Sequence, residues 1–220
     1  MKIKNGLLIV VEGLQGAGKS TLIKNIISHL NKRDFSVKYT EWNSDPYIKP
    51  ANRSMKQKRY FTPRLFCLIN ACDFCSRYDK IVDPALKEGD VVVCDRYIYT
   101  ALSRDSARRV DEDYVRSVYS FAREPDLIFY VDTPLELACK RKSEDIIKKN
   151  VADIYYYNSG MDITGLPMDE SMIIYQRYLK RKYEELFKDK QNVVVLNGEQ
   201  SIEIMCKKAI TEITKILEPV

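Results

Sequence analysis

The sequence contains one histidine, His29, and that scarcity removes several chemistries at once. A histidine-rich metal site or a paired-imidazole relay needs more than one. A serine or cysteine triad would have to recruit His29 itself, which falls in a lysine-flanked helical segment. Long apolar runs are missing too. The longest near the start is Leu7–Val11, bounded by Gly6 and Glu12, too short for a signal h-region or a bilayer span. The expectation is a cytoplasmic protein with reduced thiols. Its six cysteines lie mostly inside apolar stretches, as buried thiols do. Cys72 and Cys75 form a lone Cys-x-x-Cys with no second pair and no neighbouring histidine, so core packing is expected of them rather than zinc or redox use. Repeats, low-complexity tracts and linkers are absent as well. The 220 residues therefore read as one domain, residues 1–220. A chain of that size can bury about 70% of its unfolded surface without disulfides or metals.

What is present is ordinary in amount and informative in order. Apolar residues make up 45% and charged residues 30%, which excludes collagen-like and wholly disordered chains. The 36 Lys+Arg against 31 Asp+Glu leave +5, enough to favour an anionic small molecule without demanding nucleic acid. Four β-branched runs, Leu7–Val11, Val91–Cys94, Leu127–Asp132 and Asn192–Leu196, read as strands covered on both faces, and Phe35–Glu41 alternates like a fifth. Amphipathic segments near 19–31, 63–82, 111–122, 134–150, 168–189 and 200–217 separate them. That alternation predicts an α/β fold with a parallel sheet and right-handed crossovers. Thr62-Pro63 and Thr133-Pro134 mark helix starts, the second with a capping box through Glu136, and Gly89 marks an end. Residues 142–167, basic at first and then Tyr155-Tyr156-Tyr157-Asn158-Ser159-Gly160, read as an inserted mobile segment rather than core.

One motif decides the class. Gly13-Leu14-Gln15-Gly16-Ala17-Gly18-Lys19-Ser20, followed by Thr21, matches Gly-x-x-x-x-Gly-Lys-[Ser/Thr], directly after a strand and opening a helix. Glycines let successive N–H groups converge on phosphate oxygens, and the helix N-terminus adds roughly half a positive charge. Lys19 would bridge the β- and γ-phosphates, and the Ser20 hydroxyl would ligate magnesium. A GTPase switch is excluded. Asn31-Lys32-Arg33-Asp34 ends the first helix, where it cannot reach guanine, and Asp162-Ile163-Thr164-Gly165 follows it in reversed order. Asp95-Arg96-Tyr97 ends the strand Val91–Cys94, on the edge where open α/β sheets bind ligands. Arg96 can grip an acceptor phosphate bidentately there, and Asp95 can position magnesium-bound water.

With Glu12-Gly13 leading the phosphate loop and Asp95-Arg96-Tyr97 some eighty residues on, the chain resembles thymidylate kinases from residue 6 to about 217. Thr40-Glu41-Trp42-Asn43 and Asp73-Phe74-x-x-Arg77-Tyr78 look closest to the archaeal-type branch. The resemblance implies a P-loop kinase fold, a five-stranded parallel sheet flanked by helices on both faces, with a lid at about 142–167. It implies transfer of the ATP γ-phosphoryl to a deoxynucleoside monophosphate, foremost dTMP, with magnesium, in a homodimer. It also implies that Arg96 holds the acceptor phosphate, that Tyr97 packs under the deoxyribose, and that the lid supplies Arg141 to the transferring group. Glu41 and Arg104 fall at further substrate-facing positions.

The chain departs from the family pattern at the base. Typical members carry Phe-x-x-Asp-Arg on the long helix; aligned on Asp73, this chain has Asn70 and Phe74 at the aromatic and arginine places. Phe66, Asn70, Phe74 and Arg77 still share one stripe of about 80°. Either phenylalanine could stack on the base and either Asn70 or Arg77 could hydrogen-bond it, or both phenylalanines could be core. Gln15 replaces an acidic loop residue aimed at the sugar hydroxyl, and Ala101 and Arg104 replace a polar residue and an aromatic. Lys148, Lys149 and Tyr155–Tyr157 would fold over the nucleotide on lid closure, which excludes water. No general base is required, because the acceptor oxygen is already anionic. A deoxynucleoside kinase, which would need a carboxylate base, and a non-catalytic nucleotide-binding subunit are the alternatives.

Overall fold

The computed structural model describes residues 2–149 and 155–218. Five strands, β1 (Leu7–Gly13), β2 (Val37–Glu41), β3 (Val91–Asp95), β4 (Leu127–Asp132) and β5 (Val193–Asn197), form one sheet in the order β2-β3-β1-β4-β5. Every pairing is parallel. The three central strands are buried nearly throughout, which is why they read as continuous apolar runs, while β2 and β5 are the partly exposed edges.

The helices cover this sheet in two groups. α1 (Lys19–Lys32) buries Leu22, Ile23, Ile26 and Leu30 at helical spacing and packs on α10 (Ile202–Leu217), which answers with Met205, Cys206, Ala209 and Ile213. The second group joins α2 (Ile48–Gln57), α3 (Pro63–Arg77), α5 (Ile98–Ser106), α9 (Met168–Phe187) and α7 (Leu135–Lys149) in a chain of contacts. A π-helical turn (Tyr78–Val82) leads from α3 into α4 (Asp83–Lys87), and α6 (Glu112–Val118) and α8 (Met161–Thr164) are short. Thr62 caps α3 as expected, its hydroxyl accepting the Leu65 N–H at 3.3 Å.

Three helices were not expected. α2 carries Pro50 and buries only Asn52, so it lacks an apolar stripe; α5 follows the Asp-Arg-Tyr triplet without a break; α8 is a single turn. The expected insertion at 142–167 also takes a different form. Its basic start, Lys142 to Lys149, continues α7, and Tyr157 and Ser159 are fully packed. Residues 150–154 and the side chain of Lys149, both within that insertion, lie outside the described residues.

Strand order reverses at β1, whose neighbours are β3 and β4. The crevice beyond the carboxyl ends of these three strands is where an open α/β sheet holds its ligand. Register carries three chemically distinct chain segments to that edge: Gly13 lies opposite Val131, Asp95 lies opposite Val11, and Glu41 lies opposite Asp95.

Candidate active site

A cleft of about 440 Å3 opens at this edge. The phosphate loop forms one wall. Gly13, Gly16 and Gly18 all have positive φ, and a Cβ on Gly16 would lie 2.2 Å from the Ala138 carbonyl, so only glycine lets the loop lie against α7. Leu14 and Ala17 turn their side chains into the core and lend the loop only their backbone. Gly18 caps α1 in the left-handed conformation with no side-chain acceptor, leaving the first-turn N–H groups to a ligand. Thr21 is exposed on that first turn. The Thr133 hydroxyl, expected in a capping box, donates to the Ala17 carbonyl at 3.2 Å. Gly198 lies against Thr133 so closely that a Cβ there would fall 1.8 Å from the hydroxyl oxygen.

Lys19 is buried and donates to the carbonyls of Gly13 (3.2 Å) and Leu14 (2.9 Å). Burial and the nearby Arg96 charge push its ammonium down to about 7, against the opposing pull of Asp95 and Glu12. Ser20 and Asp95 both face the cleft, with Glu41 beside Asp95 on the next strand.

Arg96 sits across the cleft from Lys19. Its φ of 73° is left-handed, uncommon for a residue with a Cβ, and its N–H closes onto the Val11 carbonyl at 3.0 Å. The guanidinium donates to Thr100 Oγ1 and to the Tyr183 hydroxyl, each at 3.2 Å. Behind these, the fully buried Glu12 carboxylate has its proton affinity raised by desolvation, a shift that the Arg96 charge and four hydrogen bonds oppose.

The far end of the cleft is aromatic and cationic. Phe66 stacks on Tyr157 (centroids 5.4 Å apart, 19°), with the Arg108 guanidinium 4.4 Å from its ring centre. Arg104, paired bidentately with Asp105 at 2.6 and 2.7 Å, lies 5.1 Å from the Trp42 ring and 5.2 Å from Phe66. Asn70 donates to the Phe66 carbonyl at 2.7 Å and accepts from Asn52 at 3.5 Å. Lys56 donates to Asn158 Oδ1 at 3.1 Å; burial and the neighbouring Arg104 and Arg108 charges push it down to about 8. Asn158 in turn accepts from Gln15 through its backbone carbonyl at 2.9 Å, so the turn at 155–160 roofs the cleft between the phosphate loop and α2.

The expected residues thus divide. Gln15, Lys19, Ser20, Glu41, Asp95 and Arg96 line the cleft, as do Phe66, Asn70 and Arg104. Four others do not. Tyr97 is 0% exposed, its hydroxyl bonded to the Arg123 carbonyl and its ring edge-on to Phe74, so it packs in the core rather than under a sugar. Phe74 is 2% exposed among Trp42, Tyr78, Tyr97, Tyr119 and Phe121. Arg77 is 3% exposed and donates to Asp73 (3.0 Å) and Thr40 (2.7 Å), away from the cleft lining. The common stripe on α3 runs out of the cleft after Asn70, one turn before Phe74. Arg141 is exposed and outside the cleft; one residue on, about 100° around the helix, Lys142 faces it, paired with Asp145 at 2.9 Å. Lys148 is exposed on the same helix. Motif spacing gives no role to Thr100, Tyr183, Lys56 and Lys142, and Glu12 and Trp42 enter only as letters of the motifs that carry the family resemblance. Glu12 had one available signal, a carboxylate ending an otherwise apolar buried strand.

Comparison with known proteins identifies the family. The thymidylate kinase family profile matches residues 11–155, from the phosphate loop through α7. The chain belongs to the thymidylate kinase family. It is 38% identical over 216 residues to the "Probable thymidylate kinase 2" of Saccharolobus solfataricus, covering 96% of this chain and 95% of that one. It is 32% identical over 142 residues to the "Probable thymidylate kinase" of Pyrococcus horikoshii, with coverages of 62% and 69%. The protein of that name from Thermococcus kodakarensis is 25% identical over 220 residues, with coverages of 96% and 98%. This family is a family of phosphotransferases, and the five-stranded parallel sheet agrees with its P-loop kinase fold. Among the described residues, no helix is long and apolar enough to cross a membrane.

Proposed function

We propose that the protein transfers the γ-phosphoryl of ATP to dTMP, giving dTDP and ADP. The observation that carries this is the juxtaposition of Lys19 on the phosphate loop and Arg96 at the end of the neighbouring strand, facing one cleft beside Phe66. Two separate anion clamps suit transfer between two phosphates, where catalysis is positioning plus charge stabilisation. Lys19 exchanges its loop carbonyls for donor phosphate oxygens, and Arg96 holds the acceptor phosphate. Lys142, rather than Arg141, is the α7 cation that reaches the transferring group. Gln15 and the roof at Asn158 keep water out, within a lid spanning about 142–167.

The base end supports thymine. Arg104 and Lys56 offer only hydrogen-bond donors there and Asn70 an amide with both a donor and an acceptor, which suits a ring edge of carbonyl oxygens flanking an N–H. Magnesium fits the same reading. Ser20 and Asp95 supply hard oxygen donors, and among the described residues no cluster of three or more His, Cys, Asp or Glu could hold a metal alone. An ion completed by phosphate oxygens and water is the form magnesium prefers, and there it would neutralise charge on the phosphates. Family membership supports a homodimer; six free cysteines support a reducing cytoplasm.

A coupled assay of ADP release over the common nucleoside and deoxynucleoside monophosphates and the uncharged deoxynucleosides tests the proposal. dTMP should be the best acceptor, and Arg96→Ala should lower the rate by several orders of magnitude with ATP binding nearly intact. Phosphorylation of uncharged deoxynucleosides instead, or equal loss of ATP affinity in the variant, overturns it.

A further inference from the structure

Arg96 projects from a left-handed residue, and nothing in its own segment holds its guanidinium toward the cleft. What holds it comes from α5 and α9, with Glu12 of β1 behind them. Glu12, at the end of β1, places Oε1 2.8 Å from the Tyr97 N–H and 3.1 Å from the Thr100 N–H. Tyr97 is the N-cap of α5 and supplies no side-chain cap, so the carboxylate from the neighbouring strand takes that place and fixes the turn that carries Arg96. Its second oxygen, Oε2, accepts from the Thr100 hydroxyl at 2.8 Å and from the Tyr183 hydroxyl at 3.0 Å.

Hydroxyl polarity then matters. Each hydroxyl has a single proton. The two hydroxyl oxygens also lie 2.9 Å apart, so one can donate to the other while at least one proton goes to Oε2; in each arrangement both oxygens keep lone pairs for Arg96 Nη1, 3.2 Å from each. An anion behind two hydroxyls converts them into a paired acceptor for the guanidinium. Glu12 at 0% and Tyr183 at 1% exposure are buried behind the cleft wall, so water does not take the place of the carboxylate, while Arg96 reaches past them into the cleft.

We infer that Glu12, through Thr100 and Tyr183, is a positioning residue for Arg96 and so sets the geometry of the acceptor-phosphate clamp. The inference rests on the proposed acceptor role of Arg96. Glu12→Gln keeps the size and one carbonyl oxygen but replaces Oε2 with a donor, which reverses the hydroxyls and presents protons toward a cation. A displacement of the clamp by about 1 Å can cost a hundredfold.

The experiment measures KM and kcat for dTMP and for ATP in Glu12→Gln, Tyr183→Phe, Thr100→Val and Thr100→Ser, with crystal structures of wild type and Glu12→Gln. Expected are a loss of about a hundredfold in kcat/KM for dTMP in Glu12→Gln with the ATP KM within threefold, and movement of the Arg96 side chain. Thr100→Val is isosteric and Thr100→Ser is not, so a packing role predicts that serine is worse. A positioning role predicts that valine is worse, by tenfold or more. If Glu12→Gln does not fold, the threonine pair decides. Serine no better than valine, matched losses in both Michaelis constants, or an unmoved Arg96 with unchanged kinetics overturns the inference. Should wild type prove inactive on dTMP, the function proposal fails, and the position of Arg96 in the two crystal structures still tests Glu12.

Discussion

Replacing Phe74 by alanine separates a packing role from a substrate role more cleanly than any other single change. The ring has five aromatic neighbours with centroids between 5.1 and 6.1 Å: Tyr97, Trp42, Tyr119, Phe121 and Tyr78. At 2% exposure it has no free edge for a ligand. Truncating such a phenylalanine costs about 3–5 kcal/mol, because the rigid rings around it cannot collapse into the space. For a chain of this size each kcal/mol moves the melting temperature by about 2–4 °C, so Phe74→Ala should melt about 6–20 °C below wild type. Assayed well below that transition, its KM for dTMP should stay within about threefold of wild type, since Phe66 and Asn70, which line the cleft, are untouched. Phe66→Ala should do the reverse at the level of the Michaelis constant, raising the dTMP KM tenfold or more while leaving that of ATP alone. Differential scanning calorimetry together with steady-state kinetics reads both. A Phe74→Ala protein that melts within about 3 °C of wild type yet binds dTMP ten times more weakly would refute the placement of this ring in the core.

Exchange of the two adjacent α7 cations should show the same kind of split: Arg141→Ala should leave kcat within about twofold, and Lys142→Ala should lower it tenfold or more; equal effects would overturn the assignment of the cleft-facing cation. For Lys19, depressed to about 7, the unfolded chain holds the extra proton between there and the ordinary lysine value, so its burial penalty is full below pH 7 and is relieved as pH rises. Phosphate oxygens restore the ammonium, so ATP binding at pH 8 should take up close to one proton and binding at pH 6 almost none; calorimetry in buffers of different ionisation enthalpy measures this, and identical heats at pH 8 would contradict it.

How far the sequence could be read follows from the range of the interactions concerned. The phosphate loop, the five strands and Arg96 are written in short local patterns, and each falls where those patterns put it. The α3 stripe shows the limit. Helical spacing groups Phe66, Asn70, Phe74 and Arg77 on one face, but which part of that face meets a cleft depends on where β2 and α5 pack against it. The same limit separates Arg141 from Lys142, where one residue of helical phase decides between solvent and cleft. Glu12, Thr100 and Tyr183 meet across separations of 83 to 171 residues, which no motif records. α2 was illegible for a different reason: its one buried position is an asparagine, whose partners are the amides of Asn43 and Asn70.

The contact between Gly198 and Thr133 ties the history of two distant positions together. A side chain gained at 198 displaces the threonine, and the displaced hydroxyl lets go of the Ala17 carbonyl, so a change at the end of β5 is felt in the phosphate loop 181 positions earlier. Neither residue is free to drift alone. Shortening position 133 does not by itself make room, since a Cβ at 198 would still fall 2.8 Å from the Thr133 Cβ and 3.0 Å from its Cα, and it would cost the phosphate loop this tether.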